Sequence, residues 1–278
     1  MSGQTSIRSA SQRIAWTSTV VVSCLVFFFL VTPILAILPL SFSSGSFLTY
    51  PLPGLSLKWY VEFLTLPKWT VSLKNSLIIG GVSTTLAMAL GTLASLGLAQ
   101  SKSRLKPVIL AIVLSPIIVP GVITAVGLYF FFAPLGLTGN YAGLILAHTA
   151  LATPFVVITV SATLQSFDMS LVRASSSLGA GPLYTFRKIV LPLILPGVIS
   201  GGLFAFATSF DEVIVVLFLA GPDQRTLPRE MFSGIRENIS PTITAAAVLL
   251  TAVSIVMLSL MEMLRRRGEK LNSKANPR

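Results

Sequence analysis

Arg173-Ala174-Ser175-Ser176-Ser177-Leu178-Gly179-Ala180-Gly181-Pro182, continuing as Leu183-Tyr184-Thr185-Phe186-Arg187-Lys188-Ile189-Val190-Leu191-Pro192, is a polar, helix-compatible insert between two long apolar runs. Asp168 is placed to cap a short helix whose first turn is Met169 to Val172. Leu171, Ala174 and Leu178 then share one face at spacings of three and four, and Arg173, Ser176 and Ser177 take the other. Gly179 stands where a helix ends in the left-handed region. Gly181-Pro182 restarts a second helix with proline at its favoured first position. Leu183, Phe186 and Ile189 or Val190 give that second helix an apolar face, and Pro192 is expected to close it. The unit reads as helix, sharp turn, helix, with Ala174, Ser175 and Ala180 small enough for a partner surface to come close. A bilayer-crossing chain gains nothing by ordering such a segment in water unless something pushes on it.

The rest of the composition agrees with a membrane setting. Of 278 residues, 53% are hydrophobic and 10% charged, against a charged share of about 25% in soluble domains. The net charge of +11 does not imply nucleic acid, because Lys and Arg sit at the ends of apolar runs and not on one folded face. Cys24 lies inside the first run, so no disulfide framework or thiolate metal cluster is available. No Lys follows a Gly anywhere, so the chain has no GxxxxGK[ST] phosphate loop.

Apolar runs of about 20 residues span the hydrocarbon, and six are expected here: roughly 17–41, 75–99, 107–133, 141–163, 193–220 and 243–264. The first follows Arg8 and Arg13 but is too long for a signal peptide and lacks a small-residue cleavage site, so it reads as a retained span. With the amino terminus in the cytosol, fourteen of the 20 Lys and Arg fall on the inner side, which puts both termini inside. The expected organisation is a cytosolic tail at 1–16, a six-helix transmembrane domain at 17–264 with the elbow at 165–192, and a basic cytosolic tail at 265–278. Two outer segments exceed mere turns. Residues 42–74 carry Tyr50, Trp59, Tyr60 and Trp69 in a composition suited to the headgroup level, and 221–242 is polar enough to meet a soluble partner. Gly80, Ser83, Ala87, Gly91 and Ser95 form a small-residue packing seam. Pro116 with Pro120, Pro154, and Pro192 with Pro196 should bend or break their helices.

Residues 173–192 resemble the EAA loop of importer permeases of the ATP-binding-cassette type, in which Glu-Ala-Ala is followed by three residues, Gly, and later Ile-x-Leu-Pro. Ala174, Gly179, Ile189, Leu191 and Pro192 match, and Arg173 and Ser175 depart. Span order and the Leu193-Ile194-Leu195-Pro196-Gly197 continuation extend the resemblance to the methionine-importer-like, type I class. It implies an all-α membrane permease subunit of a bacterial inner membrane, with no catalytic residue, metal or cofactor of its own. It also implies a second homologous permease, two ATPase subunits that bind the ATP, and a periplasmic solute-binding protein. Arg173, Ala174, Ser175, Leu178, Gly179, Ala180, Gly181, Ile189 and Pro192 would then form the coupling helix and its rim, seated in a groove of the ATPase.

For the cargo, Ser209-Phe210-Asp211-Glu212 places two carboxylates in the fifth run. Asp211 falls about 15 Å from the outer end at helical rise, near mid-membrane. A charge there costs about 2.5–3.5 kcal/mol on insertion scales and should face a cavity or a cation. Neighbours on a helix point apart, so Asp211 and Glu212 cannot share one lumen. Ser209, Asp211 and Glu212 are the candidate substrate path. With Gly221-Pro222, Leu227-Pro228 and Ser240-Pro241, this run is similar to the polyamine branch of the family, which implies a small cationic solute; an amino-acid derivative is the alternative. His148, without HExxH or a second ligand beside it, reads as a helix-packing hydrogen-bond partner, and Asn238-Ile239-Ser240 as a chance glycosylation pattern. An ion channel lacks its filter, an intramembrane protease its second aspartate, and an ion-coupled secondary transporter its repeats.

Overall fold

A computed structural model of the protein describes residues 10–165, 167–237 and 240–275. Arg8, Ser166, Asn238, Ile239 and Arg278 lie outside the described residues. In chain order the helices are α1 (Ala10–Leu40), α2 (Lys58–Thr65), α3 (Pro67–Gln100), α4 (Lys106–Ile118), α5 (Gly121–Phe132), α6 (Tyr141–Gln165), α7 (Ser170–Ser177), α8 (Pro182–Thr185), α9 (Leu191–Asp211), α10 (Ile214–Leu219), α11 (Leu227–Glu237) and α12 (Pro241–Ala275). The fold is all-α, with no strand among the described residues. Five helical stretches are long and apolar enough to cross a membrane: Ala15–Leu40, Pro67–Gln100, Tyr141–Gln165, Pro182–Asp211 and Pro241–Leu260. The bent pair α4 and α5 supplies the sixth.

Two compact units divide the chain. In the first, Met1–Phe63 with Ile239–Leu249, the apolar length of α1 buries nothing within the chain, so its Phe27, Phe28 and Phe29 are free for lipid. The segment after α1 is folded down by polar anchors. Trp59 Nε1 donates to the Ser43 carbonyl at 2.7 Å, Ser41 Oγ and the Tyr60 hydroxyl meet at 2.7 Å, and Thr242 Oγ1 donates to Glu62 at 2.9 Å. Trp59 is thereby buried, while Tyr50 stays exposed. Trp59 therefore packs inward with its indole N–H on a backbone partner, as a buried tryptophan requires.

In the second unit, Leu64–Asn238 with Leu250–Arg278, α3, α6 and α9 pack against one another, and α10 lies on α5 and α6. The core has two parts. One gathers Ile79, Ala125, Leu144, Ala147, Val215 and Val216; the other gathers Ala87, Val156, Val160, Ile194, Val198 and Ala205. Gly80, Ser83, Ala87, Gly91 and Ser95 are all buried along α3, as the small-residue seam requires. Val156 is held between two glycines: a Cβ at Gly91 would stand 2.7 Å from Val156 Cβ, and one at Gly201 would stand 2.8 Å from Val156 Cα. Without water to expel from between helices in lipid, such close approach supplies the cohesion by dispersion.

Several expected boundaries shift. The third expected span, 107–133, is bent by 109° between α4 and α5. Val119 is extended just before Pro120, where proline disfavours the helical region for the residue preceding it. The fifth expected span, 193–220, stops at Asp211 and resumes as α10. Pro154 and Pro196 lie inside uninterrupted helices. The second span begins at Pro67, eight residues before the expected 75, with proline at the first turn and Trp69 buried. The last helix runs on to Ala275, so the basic segment from 265 continues α12 as far as that residue.

Candidate functional site

The elbow is built by local chemistry. Asp168 takes the Ser170 hydroxyl on Oδ2 at 2.6 Å and the Ser170 N–H on Oδ1 at 2.8 Å, and these bonds, the hydroxyl's first, hold its carboxyl below the usual carboxylate range. Asp168 therefore stands two residues before the helix, which starts at Ser170 with Met169 at the cap position. At the other end, Gly179 adopts φ +80°, a conformation that costs little without a Cβ. The Ala180 N–H reaches the Ser175 carbonyl at 3.1 Å and the Gly179 N–H reaches the Ser176 carbonyl at 3.0 Å. These two bonds make a Schellman closure. Pro182 then opens α8, with the Thr185 N–H on the Gly181 carbonyl at 3.0 Å.

Ser175 and Thr185 lock the two helices together. Their hydroxyls meet at 2.8 Å and both residues are buried. Sequence reasoning assigned Ser175 to a surface for a partner and missed Thr185; the signal was two small hydroxyls ten residues apart across a glycine turn. Ala174, Leu171, Leu178, Leu183 and Tyr184 are exposed instead, Leu178 to 88%. Leu171, Ala174, Leu178 and Tyr184 line, with Ser175, Gly179, Ala180, Gly181 and Ile189, a concavity of about 710 Å³. Arg173, Arg187 and Lys188 are exposed around it.

Pro192 does not close the second helix as expected. Phe186–Val190 widens into a π turn, with the Leu191 N–H on the Phe186 carbonyl, and the chain passes into α9. Proline has no N–H to give and its ring crowds the carbonyl four residues back, so a widened turn absorbs it without a stop. The elbow and the long helix α9 form one continuous helical run from Pro182 to Asp211.

At the far end of that run the two carboxylates separate. Glu212 is extended, and its Oε1 accepts the Val215 N–H at 2.8 Å, capping α10. The β-branched Val213-Ile214-Val215-Val216 run after it favours such an interruption. Asp211 is exposed at the last turn of α9 and makes no ion pair among the described residues. Ser209 points the other way: it is 5% exposed, and its Oγ lies 2.7 Å from His148 Nδ1 on α6. The structure thus sets Ser209 apart from Asp211, and His148 is the helix-packing partner expected of it.

A polar knot, invisible to the sequence reading, fixes the segment after α10. Asn75 on α3 donates to the carbonyls of Asp223 and Arg225 at 2.8 and 2.9 Å and accepts the Tyr141 hydroxyl at 2.7 Å. Ser76 accepts the Leu227 N–H at 2.8 Å, and Arg229 donates to the Ala220 and Gly221 carbonyls. An asparagine and a serine opening an apolar span were the available signal.

The second unit thus carries a helical elbow that runs into a membrane helix interrupted after Asp211. Residues 87–270 match the family described as "Binding-protein-dependent transport system inner membrane component", and the chain belongs to that family of ABC importer permeases. It is similar to the spermidine/putrescine transport system permease protein PotC of Escherichia coli K12, at 30% identity over 89% of this chain and 94% of that protein. The putrescine transport system permease protein PotI of the same organism is 35% identical over 85% of this chain and 87% of its own length. The molybdenum transport system permease protein ModB of Mycobacterium bovis is 29% identical over 76% and 88%. Among solved structures, a bacterial ABC transporter involved in the import of the acidic polysaccharide alginate shares the fold, with a TM-score of 0.71 at 15% identity over 94% of this chain and 99% of that one.

Proposed function

We propose that this chain is one of two permeases lining the path of an ATP-driven importer for a small cationic solute such as a polyamine. The similarity to PotC and PotI supports the cargo class. The observation that carries the reading is Asp211, an exposed carboxylate at an interruption in a membrane helix, beside a Glu212 already committed to the backbone. A cation replaces the lost hydration of such a carboxylate; an anion is repelled by it. Arg173 to Pro192 would dock on a separate ATPase subunit, with Leu178 as the projecting apolar contact, and a solute-binding protein would deliver cargo on the opposite face. Both termini would lie in the cytosol by the distribution of Lys and Arg.

The test is uptake of labelled putrescine and spermidine by the complete importer in vesicles. Loss of a charge-assisted contact costs about 1.5–3 kcal/mol, so Asp211→Asn should cut uptake at least roughly tenfold while the complex still assembles, and Asp211→Glu should restore much of it. Wild-type uptake by Asp211→Asn would remove the assigned role. Import of molybdate with no polyamine uptake would favour the reading supported by ModB.

A further inference from the structure

Three helix ends meet at one level in the second unit: α3 finishes at Gln100, α6 at Gln165, and α4 begins at Lys106. Between them lies a cavity of about 500 Å³, within the span of small-ligand sites, about 300–1,000 Å³. Its lining is sorted by depth. Lys106 and Gln165 stand at the helix ends and Ser161 one turn in, while Leu110, Leu114, Val157 and Ile158 lie one to two turns deeper. Ser95 also lines it, but its hydroxyl is already committed to the Gly91 and Val157 carbonyls at 2.8 and 3.3 Å. The deep part therefore offers apolar surface, and the mouth offers a cation.

Among the described residues, no carboxylate neutralises that cation. No Asp or Glu occurs between Glu62 and Asp168, and Lys102, Arg104 and Lys106 make no ion pair among the described residues. The three follow the end of α3, with Lys106 at the first position of α4. An apolar slot opening toward uncompensated positive charge complements a molecule with a long hydrocarbon part and an anionic head, and basic pockets between membrane helices attract acidic lipid head groups by the same physics.

We propose that the slot between α3, α4 and α6 is a binding site for an anionic phospholipid, one acyl chain lying along Leu110, Leu114 and Ile158 and the phosphate resting at Lys106. Arg104 and Lys102 add to the field at the mouth. The opposite side of α4 serves as an internal control: Ile112 is 66% exposed there and meets bulk lipid.

The test uses the complete importer in vesicles of equal parts phosphatidylcholine and phosphatidylglycerol, with trace phosphatidylglycerol carrying a photoreactive group on its acyl chain. Adducts are mapped by mass spectrometry. Labelling of Leu110, Leu114, Val157 or Ile158 should exceed labelling at Ile112 and be competed by phosphatidylglycerol but not by phosphatidylcholine. Ser161→Trp, which fills the slot, should abolish that excess. Lys106→Gln should lower the preference for the anionic lipid about fivefold, as expected for one surface cation, and decides the matter if the tryptophan variant does not assemble. Equal labelling of the slot and Ile112 regardless of head group would overturn the proposal in favour of bulk lipid. No labelling of the slot would overturn it in favour of occlusion by the second permease.

Discussion

At the elbow end of the second unit, α3, α6 and α9 meet through absent side chains; at the other end, the same bundle is held by polar ones. Gly91 and Gly201 close on Val156, where a methyl group on either would collide. Around Ile79 and Val216 the helices are shorter and more broken, and Asn75, Ser76 and Arg229 tie backbone carbonyls and an N–H that no regular helix satisfies, with the Tyr141 hydroxyl holding Asn75 in place. The difference follows from what each end does to its backbone. An uninterrupted helix satisfies itself and needs only contact, whereas an interrupted one exposes groups that must find partners away from water. The helical run from Pro182 is therefore continuous as far as Asp211, and it is the segment after α10, not the break itself, that hydrogen bonds tie to α3.

The largest expected effect is at the close-packed end. Gly201→Leu places atoms where Val156 Cα already stands 2.8 Å from the first added carbon, an overpacking of about 3 kcal/mol or more. Thermal unfolding in detergent should fall sharply or folded protein should be lost, and an unchanged melting curve would break the comparison. Next is Asn75→Leu, which strands the carbonyls of Asp223 and Arg225 and the Tyr141 hydroxyl. At about 1–3 kcal/mol per stranded buried group, destabilisation of at least about 2 kcal/mol should come with faster proteolysis within 221–229. Cleavage at the wild-type rate would mean the knot does not hold that segment.

Ser209→Ala sharpens the boundary between the two ends, because it removes the partner of His148 Nδ1 and leaves Asp211 in place. Stability should drop by about 1 kcal/mol, with uptake reduced less than by Asp211→Asn; the reverse order would assign Ser209 to the path. The smallest effect concerns Asp168. Its folded carboxyl titrates below its ordinary range, so the cap's contribution is present above that range and is lost as pH falls through the folded value. Amide exchange at Ser170 to Arg173 should speed up on acidification in the wild type, and Asp168→Asn should flatten that dependence.

Much of this was legible in residue order. Apolar length set the spans, and Gly179, Gly181 and Pro182 set the elbow, because each acts on its own or adjacent backbone. Pro120 foretold a break at its own position, but not the 109° angle. Pro192 misled, because whether a proline stops a helix depends on the turn before it, and here a π turn made room. Asp211 and Glu212 were found as a pair, but the helical spacing expected to part them does not apply, because Glu212 is extended beyond the end of α9 and caps α10.

Local chemistry, then, dictated how many apolar rods there are, where the elbow bends and that it follows the fourth span, since propensity and solvation act over a few residues. Folding alone decided that Ser175 would face Thr185, that His148 would find Ser209 sixty-one positions away, and that Asn75 would hold a segment nearly 150 positions distant. Those pairings depend on which helix faces come together, and a hydroxyl or amide has no distinctive neighbour in the chain until packing supplies one in space.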